Sequence, residues 1–412
     1  MRAGRWFLAA LLAAACSLSA LAQQREGVWF FSKNHAIKRS GMVEGDVLVF
    51  SRPVSTLPAG SYIQFDVSIE NTGEKAPLHY VVEFFEDGKW VCDSSFVYQD
   101  GLSDYSFRTV TSAVKHPSTF MAVHQLGAEV RDSLKVRCRV CSPYATDGSL
   151  LSAEDEANSM TVKPRGYVGA YLMPLGSGKG FQEKRILLIG NSFTYYFGEP
   201  YMLQEIAFSQ GWILQVNASL KGGQTYRQHC GLEMTRAQCE MELPYDFAVI
   251  QGQSQEPGKY AAAPDSLADV RKAFCELHSL IKEMHPDCRV FIESTWAYPG
   301  VSNGGFASLE EFDARLDEGT TLIAAAAGCE RSLVGLAFKT ARELCPEVSL
   351  LDKDDKHQSA AGSYLKACIT WLEISGRTKF KGAVPSCGLP EADAAALRAA
   401  AEAVAAGLAA GR

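Results

Sequence analysis

Residues 185–196 read RILLIGNSFTYY, an apolar run (186–190) that breaks into Gly-Asn-Ser ahead of two aromatics and a helix-forming stretch. Backbone N–H groups at such a strand-to-helix turn are unpaired and can hold an oxyanion, so Ser192 stands where a nucleophile would be useful. The commoner role for serine at this kind of junction is a helix N-cap. A nucleophilic serine needs a histidine to take its proton and a carboxylate to orient that histidine. Of the eight histidines, only His357 has an aspartate three residues earlier, Asp354, in DKDDKHQSAAGSYL. His278 and His285 fall on a helical pattern, and His79, His116 and His124 belong to a β-rich N-terminal region. His229 is the nearest competitor, but no acid lies at matching spacing.

These residues need a scaffold that brings them together. From 185 onward, apolar runs at 186–190, 213–216, 247–251, 290–294 and 348–351 alternate with helical patterns such as 266–284 and 363–375. Strand-helix alternation implies parallel strands joined by crossover helices, hence an α/β fold with a three-layer α/β/α sandwich. Sites in such sheets form beyond the C-terminal ends of the strands. Ser192 follows the first of these runs, and Asp354 and His357 follow the last.

The N-terminal region has period two instead. In SYIQFDVSIEN (61–71), Ile63, Phe65, Val67 and Ile69 point inward, while Gln64, Asp66, Ser68 and Glu70 point outward. Asp87-Gly88 between apolar flanks is a hairpin signal. Residues 27–142 therefore read as an all-β sandwich or jelly roll preceding the α/β domain of 184–382. The polar, glycine-rich stretch 143–183 reads as a connector, with GYVGAYL inside it a last strand or docking segment. Residues 390–411 form an Ala-rich helix to which no function is assigned.

Arg2 and Arg5, the apolar WFLAALLAAA and the small residues ALA at 20–22 come in the order of a secretory signal (1–22), which implies export to periplasm or exterior. LAAAC, ending at Cys16, is the alternative, a lipoprotein anchor whose aliphatic residue stands one place too far back. The formal charge of −7 on 412 residues argues against non-specific nucleic-acid binding. After residue 25 no apolar run is long enough to cross a membrane. Loss of the leader leaves an odd number of the twelve cysteines, so at least one is unpaired or intermolecular. Cys138 and Cys141 have redox or zinc spacing, but Cys138 falls on the apolar face of a strand pattern and no second pair or histidine completes a zinc site. No metal site is expected.

Gly190-Asn191-Ser192, the glycines of SLKGGQT (219–225), the turn after FAVIQGQSQ and Asp354-x-x-His357 occur in one order. That order resembles the SGNH (GDSL-type) hydrolase superfamily, over roughly 184–382. IGNSFTYY, STWAYPG and GSYLKAC look like one bacterial branch of it. The resemblance implies a flavodoxin-like α/β/α fold, with Ser192 as nucleophile, His357 as base and Asp354 as its orienter. It implies an oxyanion hole of the Ser192 N–H, the N–H of Gly223 (less so Gly222) and a side-chain donor from the third block. The superfamily has Gly-x-Asn there, whereas this chain has IQGQSQ, similar to the Gln-Gly-x-Ser variant of sialate acetylesterase-like enzymes. Gln251 and Gln253 are then the candidate donors, Gln251 at the strand end being the better placed.

An α/β-hydrolase would show Gly-x-Ser-x-Gly, and here Thr194 occupies the fifth position. The expectation is an exported serine esterase, without cofactor, that removes O-acyl groups, foremost O-acetyl, from carbohydrate. Its substrate would be an acylated glycan or small ester, with Trp90 or Tyr105 of the β-region as candidate glycan contacts. The rival readings are a lipid or thioester hydrolase with the same triad and a non-catalytic glycan-binding protein. Chain-length preference on nitrophenyl esters separates the first, and an intact triad argues against the second.

Overall fold

The computed structural model describes residues 28–31, 47–69, 78–92, 107–110, 119–140, 168–177, 180–241, 243–300 and 305–410. The leader 1–22 with Cys16, Cys141, Tyr105, His116 and the connector as far as 167 lie outside these. The period-two sequences form β1 (Val28–Phe31), β2 (Val47–Pro53), β3 (Ser61–Ile69), β4 (Leu78–Glu86), β5 (Lys89–Cys92), β6 (Phe107–Val110), β7 (Thr119–Gln125) and β8 (Ser133–Val140). GYVGAYL contributes to a further ten-residue strand, β9 (Val168–Ser177), which pairs with both β1 and β3. β4 and β5 form the hairpin read from Asp87-Gly88, and both turn residues adopt the positive φ that such a turn requires.

β2, β8, β4 and β5 form one antiparallel sheet, with β6 also pairing β4. It faces the sheet of β1, β9, β3 and β7 through Phe84, whose ring meets Phe65 edge-on at 4.7 Å and stacks on His124 at 3.9 Å. Ile63 and Phe65 are buried as the alternation requires. Gln64 is not outward, however. It is fully buried, and its amide donates to Tyr201 O and Gln204 Oε1 of the helix Glu199–Ser209. A polar face reads as solvent-facing only if nothing covers it, and here a helix of the α/β region does.

The α/β region continues the same sheet. β10 (Gln182–Gly190), β11 (Trp212–Leu220), β12 (Phe247–Ile250), β13 (Arg289–Glu293) and β14 (Glu330–Ser332) run parallel in the order β11-β10-β12-β13-β14. β7 pairs antiparallel with β11, so the two regions share one nine-stranded sheet. Gln215 secures the join: its side chain accepts from Val123 N–H and donates to Val123 O.

Strands buried on both faces read as unbroken apolar runs, and β10 shows why. Ile186 and Leu188 pack with the helices Glu199–Ser209, Val334–Leu344, Ala360–Ser375 and Glu391–Ala410. Leu187 and Ile189 pack on the opposite face with Ala268–Met284 and Tyr226–Cys230. This is a three-layer α/β/α sandwich. The Ala-rich C-terminal helix belongs to it, with Leu397 and Val404 buried and Arg398 donating to Tyr364 OH.

One expected strand is corrected. Residues 348–351 form no strand of the sheet; the fifth position is taken by the three-residue edge strand β14, Glu-Arg-Ser. Val348 and Leu350 are apolar because they pack into the helical layer. Their backbone supports a loop instead, through Ser359 N–H to Leu350 O, Asp352 N–H to His357 O and a bridge between Leu351 and Gln358.

Candidate active site

β10 is the first parallel strand in sequence but lies between β11 and β12, so the strand order reverses direction beside it. Crevices form at such a point, beyond the C-terminal strand ends. The chain turns there within one residue. A Cβ on Gly190 would sit 2.5 Å from Thr194 Oγ1 and 3.0 Å from Gln251 Oε1, so a larger residue would displace the side chains that hold the turn. Asn191 is extended and caps the short helix Ser192–Tyr195, its Oδ1 accepting from Phe193 N–H at 3.0 Å. Its Nδ2 donates to Gln224 O and Gly252 O, tying the turn to the loops after β11 and β12. The N-cap role thus falls to Asn191, which leaves the Ser192 hydroxyl available.

That hydroxyl lies 2.8 Å from His357 Nε2, and His357 Nδ1 lies 2.5 Å from Asp354 Oδ2. The nitrogen facing the carboxylate carries the proton by this chemistry, so Nε2 accepts from the serine. Burial would raise the Asp354 carboxyl, but donation from the His357 ring and the N–H groups of His357 and Lys356 outweighs it. The group is held below its usual value and stays anionic.

The loop carrying the imidazole is fixed from several sides. Asp355 takes a left-handed conformation at φ 53°, Trp296 Nε1 donates to Lys356 O at 3.1 Å, and Gln358 Nε2 donates to Ser192 O at 3.2 Å. Tyr196 stacks on the imidazole at 4.3 Å with the planes 24° apart. A hydroxyl, imidazole and carboxylate in this relay can perform nucleophilic attack with general-base assistance.

Among the expected oxyanion donors, the Ser192 and Gly223 N–H groups have no protein acceptor among the described residues, and Gly223 sits exposed in a turn at φ 71°. The two glutamines differ. Gln251 is fully buried behind the turn, its Oε1 accepting from Asn191 N–H at 3.0 Å and Thr194 Oγ1 at 3.1 Å, and its Nε2 donating to Gly252 O. Its amide is engaged in holding the turn, against the expectation that the strand-end glutamine is the better placed. Gln253 is partly exposed, and its Oε1 accepts from Gln255 N–H at 2.9 Å. Its Nε2 has only a 3.5 Å contact, with Ser254 Oγ.

Three supporting groups escape a sequence reading based on family blocks. Lys366, buried on the helix after His357, donates to Phe193 O at 2.9 Å, Thr194 Oγ1 at 3.1 Å and Glu293 Oε1 at 2.9 Å. A lone lysine in the otherwise apolar SYLKACITWL was the available signal. Glu256 Oε2 accepts from both Tyr226 N–H and Gln253 N–H, joining the loops after β11 and β12. Burial pushes its carboxyl up to about 7. Glu199 is also buried and pushed up to about 8.

Among the other histidines, His229 is wholly buried, Nδ1 meets Thr235 Oγ1 at 3.2 Å, and burial depresses its pKa to about 4. His124 pairs with Glu86 at 2.8 Å inside the β-region. Among the described residues no group of three or more His, Cys, Asp and Glu could hold a metal ion, and no helix is long and apolar enough to cross a membrane.

No family model matches the chain, and no curated protein does. Solved structures do show likenesses. A DUF4886 family protein from Bacteroides uniformis is similar at 20% identity over 54% of this chain and 95% of that one, with a TM-score of 0.46. A putative GDSL-like lipase from Bacteroides ovatus is similar at 12% identity over 82% and 87%, with a TM-score of 0.34. A family 2 carbohydrate esterase with a carbohydrate-binding domain, from Corynascus thermopiles, is similar at 11% identity over 85% and 99%, with a TM-score of 0.36.

Proposed function

We propose that the chain is an exported serine esterase that removes O-acetyl groups from carbohydrate. The observation that carries this reading is the unbroken relay Ser192 Oγ, His357 Nε2, His357 Nδ1, Asp354 Oδ2 at the tip of β10. Ser192 attacks the ester carbonyl while its proton passes to His357 Nε2, and Asp354 stabilises the imidazolium that results. Charge develops on the former carbonyl oxygen, and in this reading the N–H groups of Ser192 and Gly223 and the Gln253 amide are its donors. Collapse expels the alcohol, which takes the proton from His357. Water activated by the same imidazole then releases the acid and restores Ser192. The reaction as written needs neither metal nor organic cofactor.

The leader sequence supports export, and the N-terminal β-sandwich, completed by β9 and continuous with the sheet of the hydrolase region, acts as an accessory module. Acetate release from a panel of O-acetylated poly- and oligosaccharides tests the substrate. Release from one or more of them, at rates well above those on long-chain acyl esters, is expected. Preference for long acyl chains, or for thioesters, would replace the carbohydrate reading while leaving the serine mechanism standing.

A further inference from the structure

Phe197 follows the candidate nucleophile by five residues and combines two features that each disfavour the folded state. The residue is 49% exposed, and it is the one aromatic among the large hydrophobic residues that stand exposed in the described residues. Its backbone is left-handed, φ 53° and ψ 19°, a conformation that favours glycine and strains a bulky residue. Gly198 follows with φ 69°, so two successive residues make the reversal that leads into the helix Glu199–Ser209. The turn is locked from outside: Tyr196 O accepts from Glu199 N–H and from Ser363 Oγ. A glycine at 197 would make the same turn without strain and without an exposed ring. Strain of this kind persists where the surroundings over-determine it, which is most often at functional sites.

The ring is also placed by its neighbours. Phe197 meets Tyr196 edge-on at 6.3 Å with the planes 80° apart, and Tyr196 stacks on His357. The aromatic series therefore runs from the imidazole outward to solvent, and in the esterase reading that imidazole is the group that protonates the departing alcohol.

We infer that Phe197, with Tyr196, forms the subsite for the alcohol portion of the substrate and takes the apolar face of a pyranose ring. This rests on the esterase reading for the identity of the departing group. A pyranose presents C–H groups on one face and hydroxyls at its rim, so an exposed aromatic face beside a polar cleft suits it.

Phe197→Gly removes the ring and relieves the backbone, so its melting temperature should equal or exceed that of the wild type. In the Ser192→Ala background, where no turnover is needed, binding of a methyl tri-O-acetyl pyranoside can be followed by ligand-observed NMR. Adding Phe197→Gly should weaken it about fivefold, the size of one aromatic contact, while Phe197→Tyr should retain it. In the active enzyme, KM for that glycoside should rise by a similar factor with kcat unchanged, while KM for ethyl acetate, whose alcohol is too small to cover the ring, should rise by less. Unchanged glycoside binding in Phe197→Gly overturns the inference. So does a KM that rises for ethyl butyrate but not for the glycoside, which would assign the ring to the acyl chain. Absence of turnover in the wild type would instead defeat the esterase reading, and the binding comparison would still decide the role of Phe197.

Discussion

Lys366→Met keeps a flexible apolar stem and deletes one buried positive charge. In the native site the ammonium donates three hydrogen bonds, to Glu293 Oε1, Phe193 O and Thr194 Oγ1, and the lysine and glutamate side chains are 2% and 1% exposed. Removing it leaves Glu293 buried without a cation and the Phe193 carbonyl without that donor. Breaking a buried pair by removing one partner costs about 3–5 kcal/mol, a large share of the roughly 5–15 kcal/mol that holds a domain folded. Burial already raises the Glu293 carboxyl, and Lys366 opposes that rise. Without Lys366 the folded form holds a proton there to higher pH, so the loss of stability should be larger at pH 8.5 than at pH 6. Lys366→Met combined with Glu293→Gln strands no charge and should recover most of the loss. It should not recover kcat, because the Phe193 carbonyl, one residue beyond Ser192, still lacks its anchor. Urea unfolding reads the first quantity and steady-state kinetics the second. A single variant that loses less than about 1 kcal/mol, or a double variant as unstable as the single, would refute the reasoning.

Glu199, pushed up to about 8 by burial, holds a proton in the folded state between its reference value of 4.5 and 8, so its stabilising effect fades as pH rises through that window. His229, depressed to about 4, acts oppositely but only below its reference of 6.5. The urea midpoint should therefore fall from pH 6.5 to 8.5 and fall less in Glu199→Gln; an identical fall in both would contradict a buried proton on Glu199. Gln253→Ala should lower kcat by about 10²–10³ at unchanged KM and melting temperature, as loss of an oxyanion donor does. Gln251→Ala should instead lower the melting temperature, since its amide secures Asn191 and Thr194; the reverse pattern would exchange their roles. Asp354→Asn should cost kcat about 10²-fold or more with little change in melting temperature, because a mis-set imidazole tautomer harms catalysis and not packing.

The parts of this molecule that the sequence made legible are those whose local rules agree with their surroundings. The run 186–190 is apolar throughout because both faces of β10 are covered, and Ser192, opening a short helix, and Asp354-x-x-His357, in a loop, have no packing reason for their types. Where the reading failed, a distant element had intervened. Gln64 follows period-two alternation, yet the helix Glu199–Ser209, more than a hundred residues on, covers it. Residues 348–351 have strand composition but use it to pack against helices, while β14, three residues with two charges, carries no apolar signal at all. Gln251, at the strand end, has the better claim on a donor role from position alone, yet its amide is turned back to hold the turn. That direction depends on Asn191 and Thr194, some sixty residues away in sequence.

Intact-mass measurement after exposure to a fluorophosphonate puts the relay at the tip of β10 to the test. The wild type should gain one covalent adduct per chain, mapped by peptide sequencing to Ser192, and His357→Ala should gain it far more slowly. Ser192→Ala should gain none and should release no acetate from any acetylated glycan. A wild type that stays unlabelled, or a Ser192→Ala variant that labels and hydrolyses as before, would contradict Ser192 as the nucleophile.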